Sequence, residues 1–152
     1  MLKRLLFITV LALGLAPATT QAAEIWCAPP AAGYVCTGTS GNDLIHGTGG
    51  NDTIRGQAGK DEIHGLAGAD VLRGSGGDDD LFGGGAGSST GGGNELYGGD
   101  GDDLLDHWQD NDGCPWGLMD GGPGSDLARG YQGSGHQTFM VDVEQVNWAT
   151  CP

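Results

Sequence analysis

Aspartate recurs every nine residues in the first half of this 152-residue chain. Gly-Asp turns are common in loop-rich proteins, but five aspartates at one spacing predict an ordered row of carboxylates. Carboxylate oxygens are the ligands that a hard cation such as Ca²⁺ prefers. The five aspartates are Asp43, Asp52, Asp61, Asp70 and Asp79.

The segment Gly38 to Phe82 divides into five consecutive nine-residue units with no residue left over. The units read GTSGNDLIH, GTGGNDTIR, GQAGKDEIH, GLAGADVLR and GSGGDDDLF. Glycine holds positions one and four, aspartate holds position six, and a branched aliphatic residue holds position eight. Glycine enters positive φ without steric cost, so the first half of each unit predicts a tight turn. The last three residues predict a short strand whose position eight points inward while positions seven and nine point outward.

This pattern resembles the G-G-x-G-x-D-x-U-x repeat of the RTX (repeats-in-toxin, or haemolysin-type) family, although its second glycine is mostly replaced here. The resemblance implies an all-β fold, a right-handed parallel β-roll or β-solenoid. It also implies that two units form one coil, so that residues eighteen apart stack. The family's toxin, protease and lipase activities reside outside the repeats, and this chain contains no such region, so those activities are not expected here.

The resemblance further implies several bound Ca²⁺ ions. Neighbouring coils lie about 4.7–4.9 Å apart, and two Ca–O bonds of about 2.3–2.6 Å placed end to end span that step. Asp43 and Asp61 are therefore expected to bridge an ion on one edge, and Asp52 and Asp70 on the other, with turn carbonyls completing each shell. The expected metal ligands are Asp43, Asp52, Asp61, Asp70, Asp79, Asn94, Asp103 and Asp126.

The repeat continues less regularly after Phe82, and residues 38–138 are expected to form the roll. An insertion is predicted at 83–88, after which the degenerate unit 89–97 has Asn94 in place of aspartate. A second insertion is predicted at 107–120, interpreted as a disulfide-tethered loop in which Trp108 and Trp116 cover apolar surface. The unit 130–138 has glycine at position six and is expected to lack a ligand.

Residues 1–22 have the pattern of a cleavable secretory signal peptide: two basic residues, an apolar run and a small-residue end. The apolar run is too short to span a bilayer. The expected protein is therefore bacterial, secreted and extracellular, exported through the general pathway.

Four cysteines in an exported chain predict two disulfides, for which three pairings exist. Cys27–Cys36 is favoured as a local link in an N-terminal cap at 23–37. Cys114–Cys151 is favoured as a long link to a C-terminal cap strand at 139–152. The alternative is free or metal-binding thiols.

The formal charge of −14 disfavours nucleic acid and anionic membranes as partners and favours cations. The chain has neither H-E-x-x-H nor G-x-S-x-G, and once repeats and caps are assigned no catalytic domain remains, so no enzyme activity is expected. The expected function is calcium binding coupled to folding after export, by a monomer.

Three alternatives stay open. The first is an adhesive or glycan-binding module that uses Trp108 and Trp116, and the second is a small hydrolase with an unrecognised site. The third is a transition-metal site at His46 and His64, which are eighteen apart and therefore predicted to stack on an outer face.

Overall fold

The computed structural model describes residues 22–28, 35–85, 93–107, 117–133 and 136–150. These residues form a parallel β-solenoid of about five turns, and no helix occurs among them. The all-β solenoid predicted from the sequence is confirmed. Several sequence predictions fall outside the described residues and stay predictions. They are the signal peptide, of which only Ala22 is described, the roles of Trp108 and Trp116, and the Cys114–Cys151 link.

In the described ranges, thirteen strands make two parallel stacks that face each other across the core. The strands of the first stack are β1 (Glu24–Trp26), β3 (Leu44–His46), β5 (Glu62–His64), β7 (Asp80–Phe82), β9 (Leu104–Asp106), β11 (Leu127–Gly133) and β13 (Gln145–Thr150). The strands of the second stack are β2 (Cys36–Thr37), β4 (Thr53–Ala58), β6 (Val71–Gly76), β8 (Glu95–Asp100), β10 (Gly117–Asp120) and β12 (His136–Val141). An antiparallel pairing of β11 with β12 joins the two stacks.

Residues eighteen apart pair as the resemblance implied. Ile45 lies opposite Ile63 in the first stack, and Ile54 lies opposite Leu72 in the second. Where the chain carries extra residues the register is kept, because Leu81 pairs with Leu105 across 24 positions. The extra residues therefore do not shift the pairing of the strands.

Position eight forms the core, as predicted. The eight position-eight side chains that the sequence placed in the core are all fully buried: Ile45, Ile54, Ile63, Leu72, Leu81, Leu96, Leu105 and Ala128. Positions seven and nine flank them on the outer faces. Two such rows, one from each stack, meet to form a core that is one side chain deep on each side.

The N-terminal cap proves to be a coil of the solenoid. β1 pairs with β3 and β2 pairs with β4, both in parallel. The predicted Cys27–Cys36 disulfide is present, with an S–S distance of 1.99 Å. Cys36 lies opposite Ile54 in the core row, whereas Trp26 is 66 % exposed on the outer face. The disulfide therefore closes the first end of the core.

The two predicted insertions begin or end elsewhere than the sequence indicated. Gly83 donates its N–H to Asp106 O, as Gly65 does to Phe82 O one coil earlier, and Gly85 forms a parallel bridge with Ala67. The first insertion therefore begins after Gly85 and not at Gly83, because Gly83 and Gly85 occupy turn positions of the roll.

The second predicted insertion ends earlier than residue 120. Gly117–Asp120 is strand β10, which pairs with β8 and β12. Met119 is fully buried there, between Leu96 and Met140. A long apolar side chain at position eight stabilises this strand, although its unit has lost the glycines that made the other units recognisable.

The C-terminal segment also differs from the single closing strand that was expected. β12 ends at Val141, the chain reverses at Asp142, where φ is 46°, and β13 pairs with β11 in the other stack. Met140 and Val143 pack against the core. The described part of the cap thus contributes one strand to each stack.

Truncating a position-eight side chain is expected to be costly. Leu72→Ala should lower the free energy of unfolding by about 2–5 kcal/mol, because it leaves a cavity in a core that is only one side chain deep. The measurement is denaturant unfolding in saturating Ca²⁺. The control is Val71→Ala on the half-buried outer face of the same strand, expected to cost less than about 1 kcal/mol. Equal losses for the two variants would contradict the assigned core.

Candidate metal centre

Each position-six aspartate is held in place by the coil next to it. The backbone N–H of Asp43 donates to Asp61 Oδ1, and that of Asp61 donates to Asp79 Oδ1, both at 2.8 Å. The same 2.8 Å bond links Asp79 to Asp103 and Asp103 to Asp126. These five residues precede the strands of the first stack, and we call their row the first edge.

A shorter row runs along the opposite side of the solenoid, ahead of the strands of the second stack, and we call it the second edge. Here Asp52 N–H donates to Asp70 Oδ1, and Asp70 N–H donates to Asn94 Oδ1, both at 2.8 Å. The two predicted edges are therefore present, and their aspartates stack as expected.

The side chains in both rows are buried. Asp52 is the most exposed at 7 %, and Asp61, Asp70, Asp79 and Asp126 are at 0 %. Among the described residues, none of the three ion pairs includes a position-six aspartate. The rows therefore hold buried carboxylates that no side-chain cation neutralises, which is an unfavourable arrangement unless another positive charge is supplied.

The second carboxylate oxygen shows where that charge is needed. Five Oδ2 atoms are buried without a hydrogen-bond partner within the described part of the chain. They belong to Asp61, Asp70, Asp79, Asp103 and Asp126. A buried acceptor that lacks a donor carries its full desolvation cost, so these atoms define five positions at which a cation would be stabilising.

A backbone carbonyl faces each of these positions from the next coil. A Cβ added to Gly65 would fall 2.7 Å from Gly83 O and would also collide with Asp70 Oδ2. At Gly74 it would fall 2.7 Å from Gly98 O and collide with Asp79 Oδ2. We call such a space a cradle: it is bounded by the position-one glycine, the Oδ2 atom of the same turn and the position-one carbonyl of the next coil. Only glycine at position one leaves this space open.

The cradle adds a backbone donor to the expected coordination. Oδ1 of Asp61 accepts the backbone N–H of Asp43, so Oδ2 is the oxygen of that carboxylate that remains for a cation. No three His, Cys, Asp or Glu side chains converge among the described residues. The donor set of a cradle is one carboxylate oxygen with backbone carbonyl oxygen, and this all-oxygen chemistry fits Ca²⁺.

The pKa values of the buried aspartates also show that their negative charges are unfavourable without a cation. Burial raises the pKa of Asp70 and of Asp79 to about 7. The pKa of Asp103 is raised to about 6, again mainly by burial. The hydrogen bond from the neighbouring backbone lowers each pKa and the neighbouring carboxylates raise it. Burial likewise raises the pKa of Asp61 and Asp126.

Three of the predicted ligands behave differently from the other five. Asp43 Oδ2 accepts hydrogen bonds from Thr39, and Asp52 Oδ2 accepts them from Thr48. Asn94 donates from Nδ2 to Gly84 O at 3.2 Å. An N–H donor does not bind a cation, so the structure gives no support to Asn94 as a ligand through the atom that replaces Oδ2.

Two residues that sequence reasoning missed extend these rows. Glu144 Oε2 accepts the N–H of Asp126 at 2.6 Å and so occupies the next place on the first edge. The signal was available, because Glu144 lies eighteen residues after Asp126. His107 is 1 % exposed, and both of its ring nitrogens lack a hydrogen-bond partner among the described residues.

The predicted stacking of the two histidines on the outer face is present, and within the described part of the chain they belong to no group of three potential metal ligands. The rings of His46 and His64 are 5.3 Å apart and nearly parallel, and they continue a stack from Trp26 to Phe82. His64 Nε2 lies 2.8 Å from Glu62 Oε1. On the other outer face Arg73 lies over the Tyr97 ring at 4.4 Å. Both rows serve as stacked outer surfaces of the solenoid.

These features define a class of protein, a β-solenoid with rows of buried carboxylates suited to a hard cation. A family model described as four copies of the RTX calcium-binding nonapeptide repeat matches residues 37–70, 56–86 and 88–113. The matches together cover half of the chain, and the chain belongs to this family. No curated protein and no solved structure matches the chain. The described residues include no helix long and apolar enough to cross a membrane.

The raised carboxyl pKa values predict a pH dependence when Ca²⁺ is removed by a chelator. Between pH 4 and pH 7 the folded chain holds protons on Asp70 and Asp79 that the unfolded chain has released. Stability in chelator should therefore rise as the pH falls from about 7 to about 4.

In saturating Ca²⁺ the trend should reverse, since protons compete with the metal for the same oxygens. Thermal unfolding monitored by circular dichroism at pH 5, 6, 7 and 8 in both conditions measures this. Parallel pH profiles with and without Ca²⁺ would contradict the assignment of these carboxylates to the metal.

Proposed function

We propose that the chain is a secreted, monomeric calcium-binding protein without enzyme activity, and that filling of its cradles by Ca²⁺ completes its folding after export. One observation carries the proposal: five buried Oδ2 atoms have no hydrogen-bond partner among the described residues, although each lies beside a backbone carbonyl of the next coil. Membership of a calcium-binding repeat family supports the choice of metal.

The folding part of the proposal follows from charge and composition. The chain has 20 acidic residues against 6 basic ones, together with 32 glycines. Glycine loses more backbone entropy on folding than any other residue, and the aligned buried carboxylates repel one another. A divalent ion in each cradle removes the repulsion and links two coils, so the free energy of metal binding becomes free energy of folding.

The secretion part rests on the N-terminal sequence and on the disulfide. Cys27 and Cys36 are joined in the structure, and disulfides persist in oxidising compartments. Extracellular calcium modules bind at about 10⁻⁴ to 10⁻³ M. Sites of that affinity stay unfilled inside a cell and fill outside it, which would delay completion of the fold until after export.

Circular dichroism tests the coupling between metal and fold. The purified, disulfide-intact chain should gain β-structure when millimolar Ca²⁺ replaces a chelator, and Mg²⁺ at equal concentration should have a much smaller effect because it demands a tighter octahedral shell. Identical spectra with chelator and with Ca²⁺ would rule the proposal out.

A matched pair of variants ties the response to a cradle. Asp79→Asn should raise the Ca²⁺ concentration at the folding midpoint severalfold, since it replaces a buried ligand oxygen. Asp78→Asn removes the same charge from an exposed neighbour and keeps the oxygen that accepts the N–H of Asp102, so its midpoint should stay close to that of the unmodified chain. Equal shifts for the two variants would indicate a general charge effect and no specific ligand.

A further inference from the structure

We propose that Ca²⁺ binds only in the five turns that end in Asp61, Asp70, Asp79, Asp103 and Asp126. In four other turns of the two rows, those ending in Asp43, Asp52, Asn94 and Gly117, a side chain of the protein takes the place of the ion. This inference rests on the proposed function and adds to it the number and position of the ions.

The five open turns share a backbone conformation at position two. Gln57 and Ser75 have φ of 93° and Leu66 has φ of 75°, values that non-glycine residues rarely adopt. The other two open turns have Gly99 at 115° and Gly122 at 88°. With the position-two peptide turned this way, the Oδ2 atom of the same turn receives no hydrogen bond from it. The strained conformation thus leaves a carboxylate oxygen available to a cation.

The two turns nearest the N-terminus are closed by threonine. Thr39 and Thr48 are absent from the positive-φ residues, and their N–H groups donate to Asp43 Oδ2 at 2.5 Å and to Asp52 Oδ2 at 2.6 Å. Their hydroxyls lie 2.9 Å from the same Oδ2 atoms. Each carboxylate oxygen therefore has two donors already, and a cation would have to displace both.

The third turn of the second edge is closed by an amide. Asn94 Oδ1 accepts the N–H of Asp70 at 2.8 Å, which fixes the orientation of the amide. Its Nδ2 atom then lies where aspartate has Oδ2, at 2.7 Å from a Cβ added to Gly83. The Gly83 turn has φ of 76° at Gly84, so it keeps the open backbone but presents an N–H donor that repels a cation.

The fourth turn of the second edge is closed by histidine. His107 occupies position one, since its N–H donates to Arg129 O as Gly83 N–H donates to Asp106 O. Position six of this turn is Gly117, and a Cβ added there would fall 2.5 Å from His107 Cε1. Position one of this turn is thus histidine instead of glycine, and position six is glycine instead of an acidic residue. The imidazole fills the space that other turns keep open.

The imidazole fills that space as a neutral group. Burial lowers the pKa of His107 to about 4, partly offset by the nearby Asn94 backbone. Asn94 and His107 are both neutral, so the two turns that end in Asn94 and Gly117 contain no position-six carboxylate for a cation to neutralise. The metal-binding turns are therefore four on the first edge and one on the second.

Native mass spectrometry in saturating Ca²⁺ tests the assignment with two matched pairs. The unmodified chain should carry five ions. Asp61→Asn should carry four and Asp43→Asn five, although both variants remove one charge from the same row. On the second edge Asp70→Asn should carry four and Asp52→Asn five. His107→Ala should also carry five, because its ring is not a ligand.

The outcomes separate this inference from the proposed function. If every position-six aspartate bound an ion, the unmodified chain would carry seven, and this count would overturn the division into open and closed turns. The loss of an ion in Asp43→Asn or Asp52→Asn would overturn it as well. Both results would leave calcium binding itself intact. A lost ion in His107→Ala would make the imidazole a ligand and overturn its role as a filler. No bound ion at all would remove the proposed function itself. If a variant fails to fold, the number of Ca²⁺ ions on the unmodified chain, five or seven, still tests the division into open and closed turns.

Discussion

The structure depends on a carboxylate that has two different tasks. One oxygen of each position-six aspartate accepts a backbone N–H from the preceding coil and so holds two coils in register. In the five open turns the other oxygen is buried, and no residue in the described ranges donates a hydrogen bond to it. Hydrogen bonding fixes the carboxylate in an apolar setting, and the same burial raises its pKa. A cation is the partner that satisfies both the charge and the empty acceptor.

The nine-residue register places this carboxylate and the core side chain on one short segment. Positions six and eight both point inward, so Asp79 and Leu81 are buried two residues apart. The turn before them can vary, because strands pair in register across 18, 23 or 24 residues. A solenoid built in this way keeps its strands in register while the number of residues between them varies.

Much of this was accessible from the sequence, because strict periodicity makes one unit predict the next. The core row from Ile45 to Leu105, the two rows of aspartates and the Cys27–Cys36 link are all consequences of spacing. Met119 was missed because its unit lacks the glycines that mark the repeat. The difference between Thr39 and Gln57 at position two was also missed, since it lies in backbone conformation and hydrogen-bond direction. The role of His107 depends on the register after an insertion, which residue spacing alone does not determine.

The most direct test is a crystal structure of the chain grown in Ca²⁺, with the metal located by its anomalous scattering. The account predicts calcium peaks within about 2.3–2.6 Å of the second carboxylate oxygen of Asp61, Asp70, Asp79, Asp103 and Asp126. Each peak should also contact the backbone carbonyl that closes its cradle. Density for water alone beside those five oxygens, in crystals that contain abundant Ca²⁺, would contradict it.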